Sequence, residues 1–185
     1  MAKATQIAAR IRARNIMWYV IWTYTGQEEK TRGYIERFVD PSLYSRCAIP
    51  YMAKIEKHGG IRVKVEKLLF PSYVFVLTDH IDEFADALHR IPGFTVVLHT
   101  GDFFQPLAPH EEYILSRLIG STDVVDISTG FLTGDTVSIT YGPLKGLEGQ
   151  IKKIDRHRRT AILQMTMFER TTDVKVGLEI VEKKE

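Results

Sequence analysis

The sequence predicts an α+β protein in which an α/β sandwich is followed by a small all-β barrel. Residues 17–119 run β-α-β-β-β-α-β-α, for which one antiparallel sheet with helices on one face is the economical packing. Residues 120–130 are small, polar and acidic, as in a linker. Residues 131–185 hold five short strand-like segments between turn formers, which is typical of a barrel.

The first domain begins with an aromatic, β-branched strand, Trp18 to Tyr24. Residues 27–39 then predict a helix with acidic residues in its first turn, where the helix dipole favours them. Its expected buried face consists of Thr31, Ile35, Phe38 and Val39. Asp40-Pro41 ends this helix.

A hairpin is predicted next, with its turn at Gly59-Gly60. In its second strand Ile61, Val63 and Val65 alternate with charged residues, which predicts one solvent-exposed face and one buried face. Next come a central strand at 72–78 and a helix at 82–90 whose inward residues are Phe84, Ala87 and Leu88. A strand at 94–99 follows, and then a helix after Pro109 that buries Ile114, Leu115 and Leu118. The expected barrel strands are 135–141, 147–154, 160–167, 173–176 and 178–182.

Composition excludes several classes of protein. The apolar run Met17–Trp22 is far shorter than the ~18 residues of a membrane span. A single cysteine, Cys47, excludes an internal disulfide framework and a Cys-rich zinc site, so a reducing cytoplasm fits best. The formal net charge of +2 depends on residues 1–16, which carry four cations and no acid and are expected to be a short extension. An Arg-rich transit peptide is the alternative for this segment.

Catalytic signatures are missing from the sequence. It has no GxxxxGK[ST], GxGxxG, HExxH or GxSxG motif, and no two of its six histidines share a helical metal-pair spacing. We therefore expect neither an enzyme nor a resident metal or cofactor.

Two motifs give the chain a family resemblance. GDTVSITYGPLKGLEGQI, from Gly134 to Ile151, resembles the KOW motif of an SH3-like barrel. LLFPSYVFV, from Leu68 to Val76, follows an aromatic strand, a helix and a hairpin. With LLFPSYVFV placed ahead of the KOW-like stretch, the chain resembles the NusG family of transcription elongation factors over residues 17–183. The resemblance implies an NGN domain at 17–119, a linker at 120–130 and a KOW domain at 131–185.

Within that family the chain resembles a specialised paralogue more than the housekeeping factor. Phe168 begins FERTTDVKV, where ordinary NusG has Phe-Gly-Arg and then Thr-Pro-Val-Glu-Leu. LoaP, an antiterminator recruited by an RNA hairpin in the nascent leader, is the nearest resemblance. The alternatives are an RfaH-like factor recruited by non-template DNA, a housekeeping NusG that couples polymerase to Rho or to a small-subunit ribosomal protein, and a plain KOW RNA-binding protein.

The resemblance also implies the site residues. The NGN domain would dock as a monomer on the clamp of RNA polymerase and suppress pausing through Trp22, Phe70, Pro71, Val97 and Leu107. Phe168 would contact a partner of the KOW domain.

Local charge suggests where RNA would bind, because each cation placed on a phosphate adds salt-dependent affinity. Two clusters concentrate cations: the predicted barrel hairpin around 152–159 and the first-domain hairpin around 54–67. The expected RNA-binding residues are Lys145, Lys152, Lys153, Arg156, His157, Arg158, Arg159, Lys54, Lys57, Arg62 and Lys64.

Overall fold

The computed structural model describes residues 16–167 and 170–181, which fold into two compact units. The first unit combines the chain up to Ile49 with Pro71–Ala108, and the second combines Pro50–Phe70 with the chain from Pro109 onward. The mixed α+β class is as the sequence predicts. The expected boundaries at 17–119, 120–130 and 131–185 stay a prediction, and the extension expected at 1–16 lies outside the described residues except for Ile16.

The first unit is built on a four-stranded sheet. Its strands are β1 Met17–Thr23, β2 Arg46–Ala48, β5 Tyr73–Thr78 and β6 Thr95–Val97. They lie side by side in the order β2-β5-β1-β6. β1 pairs antiparallel with β5, from Met17 opposite Thr78 to Trp22 opposite Tyr73. The most apolar predicted segment, β5, lies inside the sheet and is buried over most of its length, as expected of a strand covered on both faces.

Two helices and a small ribbon complete the first unit. The helices are α1 Glu28–Phe38 and α2 Ile81–Leu88, and the ribbon is formed by β7 His99–Thr100 and β8 Phe103–Phe104. α1 buries Thr31, Ile35 and the following Val39, but Phe38 is 52% exposed, so its predicted place in the core is wrong. The reason is local packing: the Phe38 ring lies 6.1 Å from the Tyr34 ring and beside the guanidinium of Arg37, on the outer surface of the helix.

The second unit contains the predicted hairpin, β3 Tyr51–His58 and β4 Ile61–Leu68. This hairpin does not join the first sheet: it forms a separate three-stranded sheet with β9 Val124–Val125, in the order β4-β3-β9. The expected buried face of β4 is wrong at its outer end, since Ile61 is 70% and Val63 41% exposed. β4 is an edge strand that pairs with β3 alone, and β9 joins the sheet only at the other end of the hairpin, beside Tyr51 and Met52.

The barrel is a five-stranded curled sheet. Its strands are β10 Ser128–Thr133, β11 Thr136–Tyr141, β12 Ile151–Asp155, β13 Thr160–Met167 and β14 Arg170–Ile180. They lie side by side in the order β11-β10-β14-β13-β12. The last two predicted strands form one continuous strand, and the expected linker segment contains β9 and the start of β10. A third helix, α3 Pro109–Ile119, buries Ile114, Leu115 and Leu118 as predicted.

The base of the β3–β4 hairpin packs directly on the barrel. Gly177 of β14 has no side chain, and an added Cβ would lie 2.5 Å from the Ala53 carbonyl oxygen and 2.9 Å from Ile127 Cγ1. Gly177 is paired with Thr160, so this contact lies beside the turn that joins β12 to β13. Only glycine permits so close an approach of β3 to the sheet.

Candidate functional site

An exposed aromatic cluster lies at the end of β1 in the first unit. The Trp22 ring meets Phe94 edge-on with centroids 5.2 Å apart, and Tyr24 stacks on Phe94 at 5.0 Å. All three rings are exposed, with Trp22 at 40%. We call Trp22, Tyr24 and Phe94 the aromatic cluster. Trp22 was expected from the sequence, whereas Tyr24 and Phe94 join it only because folding brings β1 and the segment before β6 together.

The other residues expected to meet polymerase differ in exposure. Pro71 is exposed. Phe70, Val97 and Leu107 are buried, and the Leu107 amide donates a hydrogen bond to the Trp18 carbonyl. Truncating any of these three buried side chains would remove core packing, so exposed Trp22 is the better probe of binding.

A buried carboxylate fixes the segment after Pro71. Glu28 is 2% exposed, and it accepts a hydrogen bond of 2.7 Å from the Ser72 amide. The Ser72 hydroxyl lies 2.5 Å from the Thr25 hydroxyl, and the Ser72 carbonyl accepts a bond from the Thr23 amide. Ser72 has a φ of 72°, which disfavours a side chain, so these bonds hold a strained backbone in place. The acidic first turn of α1 therefore also anchors the start of β5.

The cations of the β3–β4 hairpin are largely engaged within the protein. Lys54 and Lys67 both pair with Glu56, and these contacts lower the pKa of Glu56 to about 2, with the Lys54 hydrogen bond as the largest cause. Lys64 pairs with Asp126 at 2.9 Å and lowers the pKa of that carboxyl. Lys57 and Arg62, which face each other across the two strands, form no ion pair within the described residues.

The turn between β12 and β13 likewise contains both paired and unpaired cations. Arg159 pairs with Glu179 at 3.1 Å, Arg158 lies 3.8 Å from Asp155, and Lys152 pairs with Asp173 at 3.0 Å. Lys153, Arg156 and His157 are exposed and have no ion pair among the residues that the structure describes. The Asp155 carboxylate also accepts a hydrogen bond from the Arg158 amide, which fixes the turn. Arg156 and Lys153 are therefore the available cations of this cluster.

A cleft opens beside these cations, between β12 and the turn that joins β10 to β11. Half-buried apolar side chains from three strands line it together with charged groups. The lining consists of Leu132, Gly134, Asp135, Val137, Ile151, Lys152, Lys153, Ile154 and Arg156. Because β11 and β12 are the two outer strands of the five-stranded sheet, the curl of the sheet brings its opposite edges to this cleft.

Two further predicted residues lie elsewhere. Lys145 belongs to the loop after β11, where its carbonyl accepts a hydrogen bond from the Arg117 guanidinium of α3, and it does not line the cleft. Phe168 lies outside the described residues. Within the part of the chain that the structure describes, there is no group of three side chains suited to a metal ion, and no helix is both long and apolar enough to cross a membrane.

Comparisons with known proteins identify the family. A family model described as "Transcription termination factor nusG" matches residues 16–115, and the KOW motif model matches residues 133–164. The transcription termination/antitermination protein NusG of Thermus thermophilus is 30% identical over 182 residues, covering 91% of this chain and 99% of the relative. The NusG of Haemophilus influenzae is 28% identical over 174 residues, covering 90% and 93%.

A solved structure agrees with these matches. The structure titled "Domain interaction in Thermotoga maritima NusG" is similar with a TM-score of 0.56 and 28% identity, covering 88% of this chain and 93% of that one. The chain belongs to the NusG family and contains its NGN and KOW domains. It is a transcription elongation and termination factor of the NusG type.

Proposed function

We propose that this chain binds the clamp of RNA polymerase and suppresses pausing or termination. The observation that carries the proposal is the aromatic cluster around Trp22, which is large, rigid and exposed in a member of a transcription factor family. Such rings are favoured as interface anchors because they bury much area at a low cost in conformational entropy. A factor that binds the closed clamp better than the open one shifts the polymerase toward the closed form.

The test of docking is Trp22→Ala. Loss of an exposed anchor should weaken polymerase binding by about tenfold or more, since interface hot spots contribute about 2 kcal/mol or more. The measurement is affinity for core polymerase, with thermal unfolding as the check that the variant is folded. Phe103→Ala is the matched control, because Phe103 is an 80% exposed ring outside the cluster. Equal, unchanged affinity in both variants would refute this docking surface.

We further propose that recruitment is by a structured RNA of the nascent leader, as in a LoaP-type antiterminator. Arg156 and Lys153 support this, because they are exposed, adjacent in space along the same cleft and free of internal ion pairs among the described residues. Neutralising two phosphate-contacting cations should reduce the slope of log affinity against log salt by about 1.5. The test is a salt titration of hairpin RNA binding for Lys153→Gln/Arg156→Gln.

A housekeeping role is the second candidate function. It is favoured by the relatives found, which carry the name transcription termination/antitermination protein NusG. In that case the KOW domain would engage Rho or a small-subunit ribosomal protein rather than a specific RNA. Binding to purified Rho or that ribosomal protein, with no preference among RNA hairpins, would support this alternative over RNA recruitment.

A further inference from the structure

We propose that the barrel cleft holds one unpaired nucleotide of the recruiting RNA, with guanosine preferred. This inference rests on the proposed RNA recruitment and adds a site and a ligand class to it. The cleft combines a floor of four half-buried aliphatic side chains with two available cations and one carboxylate, and each of these features matches a different part of a nucleotide.

The floor suits the flat face of a base. Leu132 and Val137 are directly paired across β10 and β11, so their side chains lie on the same face of the sheet. Ile151 and Ile154 of β12 line the cleft beside them, and all four side chains are only half-buried. Half-buried aliphatic groups in a concave site gain by covering an aromatic ring and excluding water from both surfaces.

The charges of the cleft favour an anion at one end. Lys152 is held by Asp173 on the barrel surface, so Lys153 and Arg156 remain as cations without a carboxylate partner in the described chain. Arginine can donate two parallel hydrogen bonds to a phosphate, which makes Arg156 the natural phosphate contact. An acidic peptide could satisfy these cations as well, but its acidic side chains only accept hydrogen bonds and would offer Asp135 no donor.

Asp135 gives the site its base preference. It lies in the two-residue turn between β10 and β11, opposite the cations, where Gly134 supplies the positive φ of 60° that such a tight turn requires. Asp135 is exposed and has no ion pair or side-chain hydrogen bond among the described residues. A carboxylate only accepts hydrogen bonds, and guanine presents two neighbouring N–H donors on one edge, whereas uracil presents one.

The experiment compares short RNA stems that differ at one nucleotide. A stem with a single bulged guanosine should bind the full-length protein about fivefold or more tightly than the same stem without the bulge or with an abasic residue there, because covering one face of a base with aliphatic side chains removes apolar surface from water. A bulged uridine should bind more weakly than the bulged guanosine. Guanosine monophosphate should shift the methyl resonances of Leu132, Val137, Ile151 and Ile154.

Asp135→Asn separates the base contact from general charge. It should reduce the preference for guanosine over uridine while leaving the salt dependence of binding unchanged. Asp102→Asn is the matched control, since Asp102 is an exposed turn carboxylate of the first unit. Unfolding temperatures verify that both variants keep the fold.

The possible failures are distinguishable. If bulged and fully paired stems bind equally well and Lys153→Gln/Arg156→Gln weakens both, the nucleotide site is refuted while RNA recruitment stands. If no RNA binds above the level of matched DNA, both proposals are refuted. Occupation of the cleft by an acidic peptide, with no effect of the bulge, would also overturn the nucleotide site.

Discussion

The two basic clusters resemble each other in sequence, and within the described residues each leaves two cations without an ion pair, Lys57 and Arg62 in the hairpin and Lys153 and Arg156 at the turn, but they differ in what surrounds their cations. In the β3–β4 hairpin, Lys54 and Lys67 share Glu56 and Lys64 pairs with Asp126. At the β12–β13 turn, Arg156 and Lys153 have no such partners within the described residues and line a cleft. Cations counted along a sequence are therefore not all available to a ligand, because folding brings carboxylates next to some of them.

Neutralising the available and the engaged cations should give the largest contrast. Lys153→Gln/Arg156→Gln is expected to weaken hairpin RNA binding by about tenfold or more at low salt, since two phosphate contacts are lost. Lys54→Gln/Lys64→Gln should change affinity less than about twofold, because Glu56 and Asp126 already balance the charges of these two lysines. Filter binding or fluorescence anisotropy at two salt concentrations measures both. Equal losses of RNA affinity in the two double variants would show that ion pairing within the protein does not decide which cations can bind RNA.

The contact between the β3–β4 hairpin and the barrel can be disrupted by adding a single methyl group. Gly177→Ala would place a Cβ 2.5 Å from the Ala53 carbonyl and should destabilise the protein by about 1–3 kcal/mol, as overpacking does. Denaturant unfolding measures this change. Gly149→Ala serves as the control because nothing lies within 4 Å of its Cβ position and its φ is not positive, so its stability should change by less than about 0.5 kcal/mol. An unchanged free energy of unfolding for Gly177→Ala would contradict this prediction, since it would mean that β3 shifts away from the added methyl group without loss of stability.

A weaker change is expected in how the stability of the β3–β4 hairpin depends on pH. The pKa of Glu56 is lowered to about 2 by Lys54 and Lys67, so its ion pairs contribute stability above the ordinary glutamate pKa of about 4.3. That contribution is lost as the pH falls from about 4.3 through 2. Glu56→Gln should flatten this part of the stability curve, and since the group is partly exposed and screened by solvent the difference will be small. Amide exchange of the hairpin at several pH values is the measurement, and identical profiles for the two proteins would contradict it.

Much of the local structure could be predicted from the sequence because short-range signals determine it. The aromatic strand, the helix with its acidic first turn, the Gly59-Gly60 turn and the helix after Pro109 all occur within two residues of their predicted places. Phe38 was wrongly expected to be buried. Helical spacing shows which residues share a face of a helix, but it does not show which part of that face another element covers.

The candidate site needed tertiary information. Trp22 could be chosen from the sequence as a large aromatic residue, but Phe94 is far from it along the chain and reaches it only through the sheet. Likewise the cleft joins Asp135 to Arg156 through the curl of a sheet whose strand order is not the chain order.

The fold class, the family and the residues that could carry function were predictable from the amino acids alone, because these depend on patterns of neighbouring residues and on two motifs. Which of those residues are exposed, which cations remain unpaired in the described chain and which distant side chains meet in one cleft became known only from the folded arrangement. Burial and ion pairing are set by contacts between segments far apart in the chain, and local patterns do not specify those contacts.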